Sequence, residues 1–173
     1  MRTAMYLFRV ASILVLLATA LTVSGASASG GTPISGEETI YFAAGTDYRE
    51  WSSGRWLHEK YARGTGTFAF IGDGVSLSGT VSRRDIVKAD ADGNGRVQGV
   101  ITYTYVDKGT EVTCQGPSKG VLTEWEIAGS VLAHCSDGST LHGSIQGTGV
   151  AMDGNTVVGI VDAFSGTLAS PGR

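Results

Sequence analysis

From residue 37 to 169 the chain repeats one pattern: short runs of β-branched and aromatic residues cut by Gly/Asp/Asn turns at intervals of about 8–15 positions. A backbone punctuated this often leaves little length for helices. The 26 glycines add to the argument, since each costs about 1 kcal/mol in a helix interior. Inside the runs, apolar and polar residues alternate with the period of two expected of a sheet with one buried face. Val75, Leu77, Gly79 and Val81 share one face, opposite Ser76, Ser78, Thr80 and Ser82. Ile101, Tyr103 and Tyr105 oppose Thr102, Thr104 and Val106. Val121, Thr123, Trp125 and Ile127 oppose Glu124 and Glu126, and Leu141, Gly143, Ile145, Gly147 and Gly149 oppose His142, Ser144 and Gln146. Thr156–Val161 is apolar on both faces, as in a central strand or an interface.

Turns are marked by Gly72-Asp73-Gly74, Asp92-Gly93-Asn94-Gly95, Asp137-Gly138 and Asp153-Gly154-Asn155, whose residue types supply the positive φ of tight hairpins. Glycines also fall within the runs, at 79, 99, 129, 143, 147, 149 and 159, where they permit bends and close backbone approach. The pattern predicts an all-β domain of about nine or ten strands, most simply a mostly antiparallel β-barrel, with a β-sandwich as the alternative. Its expected core is Phe68, Phe70, Val75, Leu77, Ile101, Tyr103, Trp125, Ile127, Leu141, Ile145, Val157 and Val161. Residues 46–60 are the least regular, and Asp47–Trp51 fits one helical turn.

The N-terminus reads as a helical secretory signal peptide, residues 1–28. Arg2 and Arg9 precede an apolar stretch from Val10 to Val23, and Ala26-Ser27-Ala28 offers a small-x-small cleavage site. That stretch is shorter than the roughly 20 residues a spanning helix needs, and no comparable segment follows, so no transmembrane segment is expected after cleavage. Residues 29–36 read as a flexible lead-in and 37–173 as a single β domain, with a secreted or extracytoplasmic address. In an oxidising compartment Cys114 and Cys135, the only cysteines, are expected to form a disulfide. The bond closes a loop of about 22 residues, worth roughly 3 kcal/mol. The net charge is −3, and no Lys/Arg run exceeds Arg83-Arg84, so nucleic acid is not an expected partner.

Chemistry-bearing patterns are sparse. If residues 55–61 form a strand, Trp56, His58 and Lys60 share one face, placing an aromatic ring, an acid/base and a cation together as a ligand-binding seed. Glu124 and Glu126 stand about 7 Å apart by strand geometry, a separation that suits paired-carboxylate hydrolysis. They also match an ordinary wet sheet face. Asp90, Asp92 and Asn94 alternate like the first half of a calcium loop, but Ile101 stands where such a loop needs a bidentate Glu. No nucleophile elbow, zinc-hydrolase spacing or phosphate-cradling glycine motif is present, so neither a cofactor nor a metal is expected. Nothing in the chain specifies an oligomeric state.

Gly54-Arg55-Trp56 resembles the G-x-W that opens lipocalins, and Thr46-Asp47-Tyr48 resembles their T-D-Y, in the reverse of that family's order. Six residues so arranged do not assign the family. More loosely, the chain is similar to small secreted β-barrels, including the dirigent and allene-oxide-cyclase type. Three functions fit. The leading one is a non-enzymatic secreted barrel that binds a small apolar ligand or serves in the envelope. The others are a barrel lyase or isomerase with His58 as base, and an adhesion or glycan-binding fold using Trp51 or Trp56. A deep cavity with His58 inward favours the enzyme, a cavity free of ionisable groups favours the binder, and a filled core favours adhesion.

Overall fold

The computed structural model describes the backbone of residues 30–42, 48–52, 56–90, 92–153 and 156–171, and the side chains of 30–42, 63–90, 92–147 and 159–171. The segment read as a signal peptide lies outside the described residues, as do Gly154 and Asn155. Among the described residues there are nine strands: β1 (Thr32–Phe42), β2 (Tyr48–Ser52), β3 (Trp56–Gly72), β4 (Val75–Ala89), β5 (Gly95–Asp107), β6 (Thr110–Thr123), β7 (Glu126–Cys135), β8 (Thr140–Asp153) and β9 (Thr156–Ala169). Strands β3 to β9 form an up-and-down meander. Strand β1 fills the gap between β9 and β3, closing an antiparallel eight-stranded barrel. Closure removes the unpaired edges that a sandwich would leave. Strand β1 pairs with Gly64–Gly72 of β3, and β2 then pairs with Trp56–Lys60, taking up the same edge of β3 where β1 leaves it.

Three sequence expectations change here. Residues Thr32–Gly36, read as lead-in, are the first half of β1, because closure requires a strand there and Ile34 is buried against it. Pro33 is tolerated because it stands near the start of the strand. The helical turn considered at Asp47–Trp51 gives way to β2. The continuous run from Val121 to Ile127 is broken by a hairpin turn at Glu124-Trp125, both with positive φ (51° and 68°). Such residues are unusual in that conformation. The neighbouring turn holds them there: Glu124 N donates to Asn94 Oδ1 at 3.2 Å and Trp125 N to Gly93 O at 3.2 Å. The break reverses the parity, so Leu122 and Ile127 are buried and Val121 is exposed.

The remaining alternations hold except at the end of β8, where a register shift between Gly147 and Gly149 sets Gly149 opposite Val161 and breaks the expected inward series. Phe68, Phe70, Leu77, Ile101, Tyr103, Ile127, Leu141 and Ile145 are buried, and Val75 and Trp125 pack against them. Val161 is half-buried, and the side chain of Val157 lies outside the described residues. An eight-stranded barrel is just wide enough for side chains to fill it, and here bulk and glycine alternate across the ladder to make them fit. Facing inward, Ile34 stands opposite Gly72, Phe70 opposite Gly36, Ile40 opposite Gly66, Tyr105 opposite Gly79, Ile101 opposite Gly116, and Ile145 opposite Gly129. At Gly66 an added Cβ would land on the carbonyl oxygen of Thr39, and at Gly79 on that of Thr104. Among the outward positions of β3 and β4, Thr65, Thr67, Ser76, Ser78, Thr80 and Ser82 are polar, while Ala69 and Ile71 are exposed on the same face. No helix among the described residues is long and apolar enough to cross a membrane.

Cys114 and Cys135 are directly opposed across β6 and β7 and joined by the expected disulfide, with Tyr105 beside Cys114. Because Gly66 lies inward and Thr67 outward, Gly66→Val is expected to lower the urea-unfolding free energy by about 3 kcal/mol or prevent folding, as overpacking against backbone does. Thr67→Val should stay within about 0.5 kcal/mol of the parent. Equal effects at both positions would contradict the close approach of β1 and β3.

Candidate functional site

The middle of the barrel is charged. Glu38 on β1 stands directly opposite Asp162 on β9, and Arg83 and Asp85 project inward from β4. The Arg83 guanidinium gathers the acids. Its Nη1 lies 3.1 Å from Asp162 Oδ2 and 3.6 Å from Glu38 Oε1, and its Nε lies 3.0 Å from Asp85 Oδ2. The last contact is an ion pair without hydrogen-bond alignment. Ser118 on β6 accepts from Arg83 Nη2 at 3.5 Å, and Tyr103 OH donates to Glu38 Oε2 at 2.7 Å. All four charged side chains are fully buried. Two of the acids are seated by missing side chains: Gly99 leaves room beside Asp85, and Gly147 beside Asp162.

One cation among three carboxyls leaves excess negative charge in a dry interior, so a proton is retained. Burial pushes Glu38 up to about 7; Arg83 and the Tyr103 hydroxyl oppose the rise, and facing Asp162 adds to it. Burial also raises Asp85 and Asp162 above the ordinary carboxylate range, against the pull of Arg83. Burial works against the Arg83 cation, but Asp85, Glu38 and Asp162 together raise its pKa. Burial, then the facing Glu38, pushes the Tyr103 phenol well above its usual range. Glu38 Oε1, both Asp85 oxygens and Asp162 Oδ1 have no hydrogen-bond partner. They also touch no solvent, so the cluster is closed and has no room for a substrate beside it.

Next to the cluster the part of the lumen lined by described residues is filled. Phe68, Phe70, Tyr103, Tyr105 and Phe164 form a connected aromatic block, with Phe70 stacked on Phe164 at 4.3 Å. On the other side, Ile40, Val97, Leu122, Ile127 and Ile160 are buried. Among the described residues, two depressions lie on the outer face. A depression of about 400 Å³ across β5, β6 and β7 is lined by Arg96, Gln98, Lys119, Val121, Ala128 and Ser130 among others. A second, of about 280 Å³, is lined by Ala128, Ser144, Gln146, Ala163 and Ser165 among others, and crosses β7, β8 and β9. The two share Ala128 and Gly129, so they adjoin on β7 and together make a shallow trough spanning five strands. Behind it Gly120 and Gly129 oppose each other on the inner face, so no pair of side chains props the wall outward there.

The residues singled out from sequence are dispersed. Glu124 sits in the β6–β7 turn and Glu126 begins β7, both exposed, so they do not share a strand face. Asp90 Oδ1 accepts from Asp92 N at 3.0 Å and Asn94 N at 2.9 Å, while Asn94 Oδ1 holds Glu124 N, which makes the suspected calcium loop a self-bonded hairpin turn. Among the described residues no group of three or more His, Cys, Asp or Glu is placed to hold a metal. The backbones of Trp56, His58 and Lys60 lie in β3, opposite Ser52, Glu50 and Tyr48, but their side chains lie outside the described residues. Glu38, Arg83, Asp85 and Asp162 were not singled out. Their signal was parity: Arg83 and Asp85 continue the inward face of Val81, Glu38 lies between Ile34 and Ile40, and Asp162 lies between Ile160 and Phe164.

The raised Glu38 pKa makes stability pH-dependent in an unusual direction. Between about pH 4.5 and 7 the unfolded chain releases this proton while the folded chain keeps it, so stability falls as pH rises and levels off above the folded value. The full difference is on the order of 3 kcal/mol. Thermal melts from about pH 5 to about pH 8 should therefore show a falling midpoint, and Glu38→Gln should flatten it. A midpoint that rises across this range, or an unchanged slope in Glu38→Gln, rules out the retained proton.

The scan against family models matches none, and no curated protein or solved structure matches the chain.

Proposed function

We propose that this chain is a secreted, non-catalytic binding barrel that holds an extended glycan against its outer wall, in an adhesion or envelope-associated role. The observation that carries the reading is the contrast, among the described residues, between a filled lumen and a concave exterior. Tyr103, Phe70, Ile101, Leu141 and Ile145 are at most 1% exposed, and the charged cluster between them is closed. The small-apolar-ligand reading and the His58 lyase or isomerase reading both require a lumenal cavity, and the described lumen lends them no support. The trough has the chemistry a glycan uses: amide and hydroxyl groups from Gln98, Ser130, Ser144, Gln146 and Ser165, over a floor kept low by Ala128 and Ala163.

The lining follows the ladder. Gln98 pairs with Lys119, Lys119 with Ser130, Ser130 with Ser144, and Ser144 with Ser165. A polar side chain therefore recurs at each strand crossing, roughly every 4.8 Å. An extended polysaccharide repeats its hydroxyl groups on a similar scale, one sugar per strand. The disulfide and the leader-like N-terminus agree with an extracytoplasmic address.

Affinity electrophoresis through gels containing neutral and charged polysaccharides tests the proposal. Retardation is expected in at least one polymer, and Ser144→Trp, which fills the trough from an exposed position, should abolish it while leaving the melting temperature within a few degrees. If no polymer retards the protein, or Ser144→Trp is retarded equally, the outer wall is not the binding surface.

A further inference from the structure

We infer that the glycan held in the trough is acidic, with carboxylate or sulfate groups seated on Arg96 and Lys119. The inference rests on the trough being the binding surface and names the class of polymer it takes. The chain as a whole is acidic, with 13 Lys and Arg against 16 Asp and Glu. The trough departs from that average: its lining contains Arg96 and Lys119 and no Asp or Glu.

These two cations are close. Arg96 pairs with Val121 and Gln98 with Lys119, which puts Arg96 and Lys119 on a diagonal of the same outer face. Diagonal neighbours stand about 7–8 Å apart. Among the described residues neither joins an ion pair, whereas the buried Arg83 has three carboxylate partners. Two unpaired like charges on neighbouring positions of one face repel each other, and an anion held by both offsets that repulsion. Arg96 also presents the planar fork that matches carboxylate and sulfate oxygens.

The rest of the trough sets where charge belongs on the polymer. The cations lie at the β5–β6 end, while the β8–β9 end offers only Ser144, Gln146 and Ser165 as polar side chains. The arrangement suits a chain whose anionic group meets the first strands and whose hydroxyl groups continue across the others. Nucleic acid fits less well. Its bases need exposed rings to stack on, and the aromatic residue in the lining, Phe164, is buried facing the lumen.

The experiment compares polygalacturonate with its fully methyl-esterified form, and chondroitin sulfate with chondroitin both desulfated and methyl-esterified, using the full chain and titration calorimetry. A single-stranded DNA serves as a charge control. The acidic forms should bind about tenfold or more tighter than their neutralised counterparts, the difference two charge-assisted contacts make. The Arg96→Gln/Lys119→Gln variant should lose that preference while still binding the neutralised polymers, and Arg84→Gln, away from the trough, should keep it. Binding to neutral and acidic forms alike overturns the acidic preference and leaves the glycan-binding trough standing. Binding to none of the polymers overturns both. DNA binding as tight as that of the acidic glycans overturns the inference in favour of a general anion surface.

Discussion

The barrel depends on a steric match: bulky inward side chains face glycines across the ladder. Ile34 with Gly72, Phe70 with Gly36, Ile40 with Gly66, Ile101 with Gly116 and Ile145 with Gly129 all share the arrangement. Without it, eight strands would enclose too little volume for rings as large as Phe70, Tyr103 and Phe164. The match lets β1 approach β3 closely enough for the Gly66 α-carbon to sit under the Thr39 carbonyl. It also accounts for the filled interior among the described residues and for a depression on the outer wall where Gly120 faces Gly129.

The charged layer is the second constraint. Burying Arg83 with Glu38, Asp85 and Asp162 is costly, and their mutual attraction offsets that cost only while all the partners stay in place. The cluster draws its members from β1, β4 and β9, with Tyr103 from β5 and Ser118 from β6. A one-residue slip in any of these ladders would turn a charge or its partner outward. The layer thus favours one register in a sheet whose many glycines and threonines specify register weakly. It also divides the lumen, with the aromatic block on one side and an aliphatic plug of Ile40, Val97, Leu122, Ile127 and Ile160 on the other.

With the described part of the lumen occupied by packing and paired charge, the recognition surface proposed is the outer wall. The proposed trough crosses β5 to β9, so its hydrogen-bonding groups are spaced by the ladder itself and not by flexible loops. Three trough residues flank the inner layer in sequence: Lys119 follows Ser118, Ala163 follows Asp162, and Gln98 precedes Gly99, which makes room for Asp85. Of the groups that hold register inside the barrel, Tyr103, Ser118 and Asp162 therefore lie on strands that carry the proposed binding face, while Glu38, Arg83 and Asp85 lie on β1 and β4.

Alternation and turn chemistry determined the all-β class, most strand faces, the expected barrel and the Cys114–Cys135 pair, because these follow from the period of two, from Asp/Asn-Gly turns and from compartment redox chemistry. Parity also held the charged cluster in plain view, but a single strand does not say that Arg83 on β4 meets Asp162 on β9, nearly eighty residues away. Only closure of the barrel brings them together. The Glu124-Trp125 turn was hidden for a related reason: neither residue favours positive φ, and the bonds that impose it come from Gly93 and Asn94 in another hairpin. The glycines show the division most clearly. Their number and placement determined that the sheet must bend, while the side chain each one faces across the ladder, and hence whether the barrel is hollow or filled, was decided by tertiary structure alone.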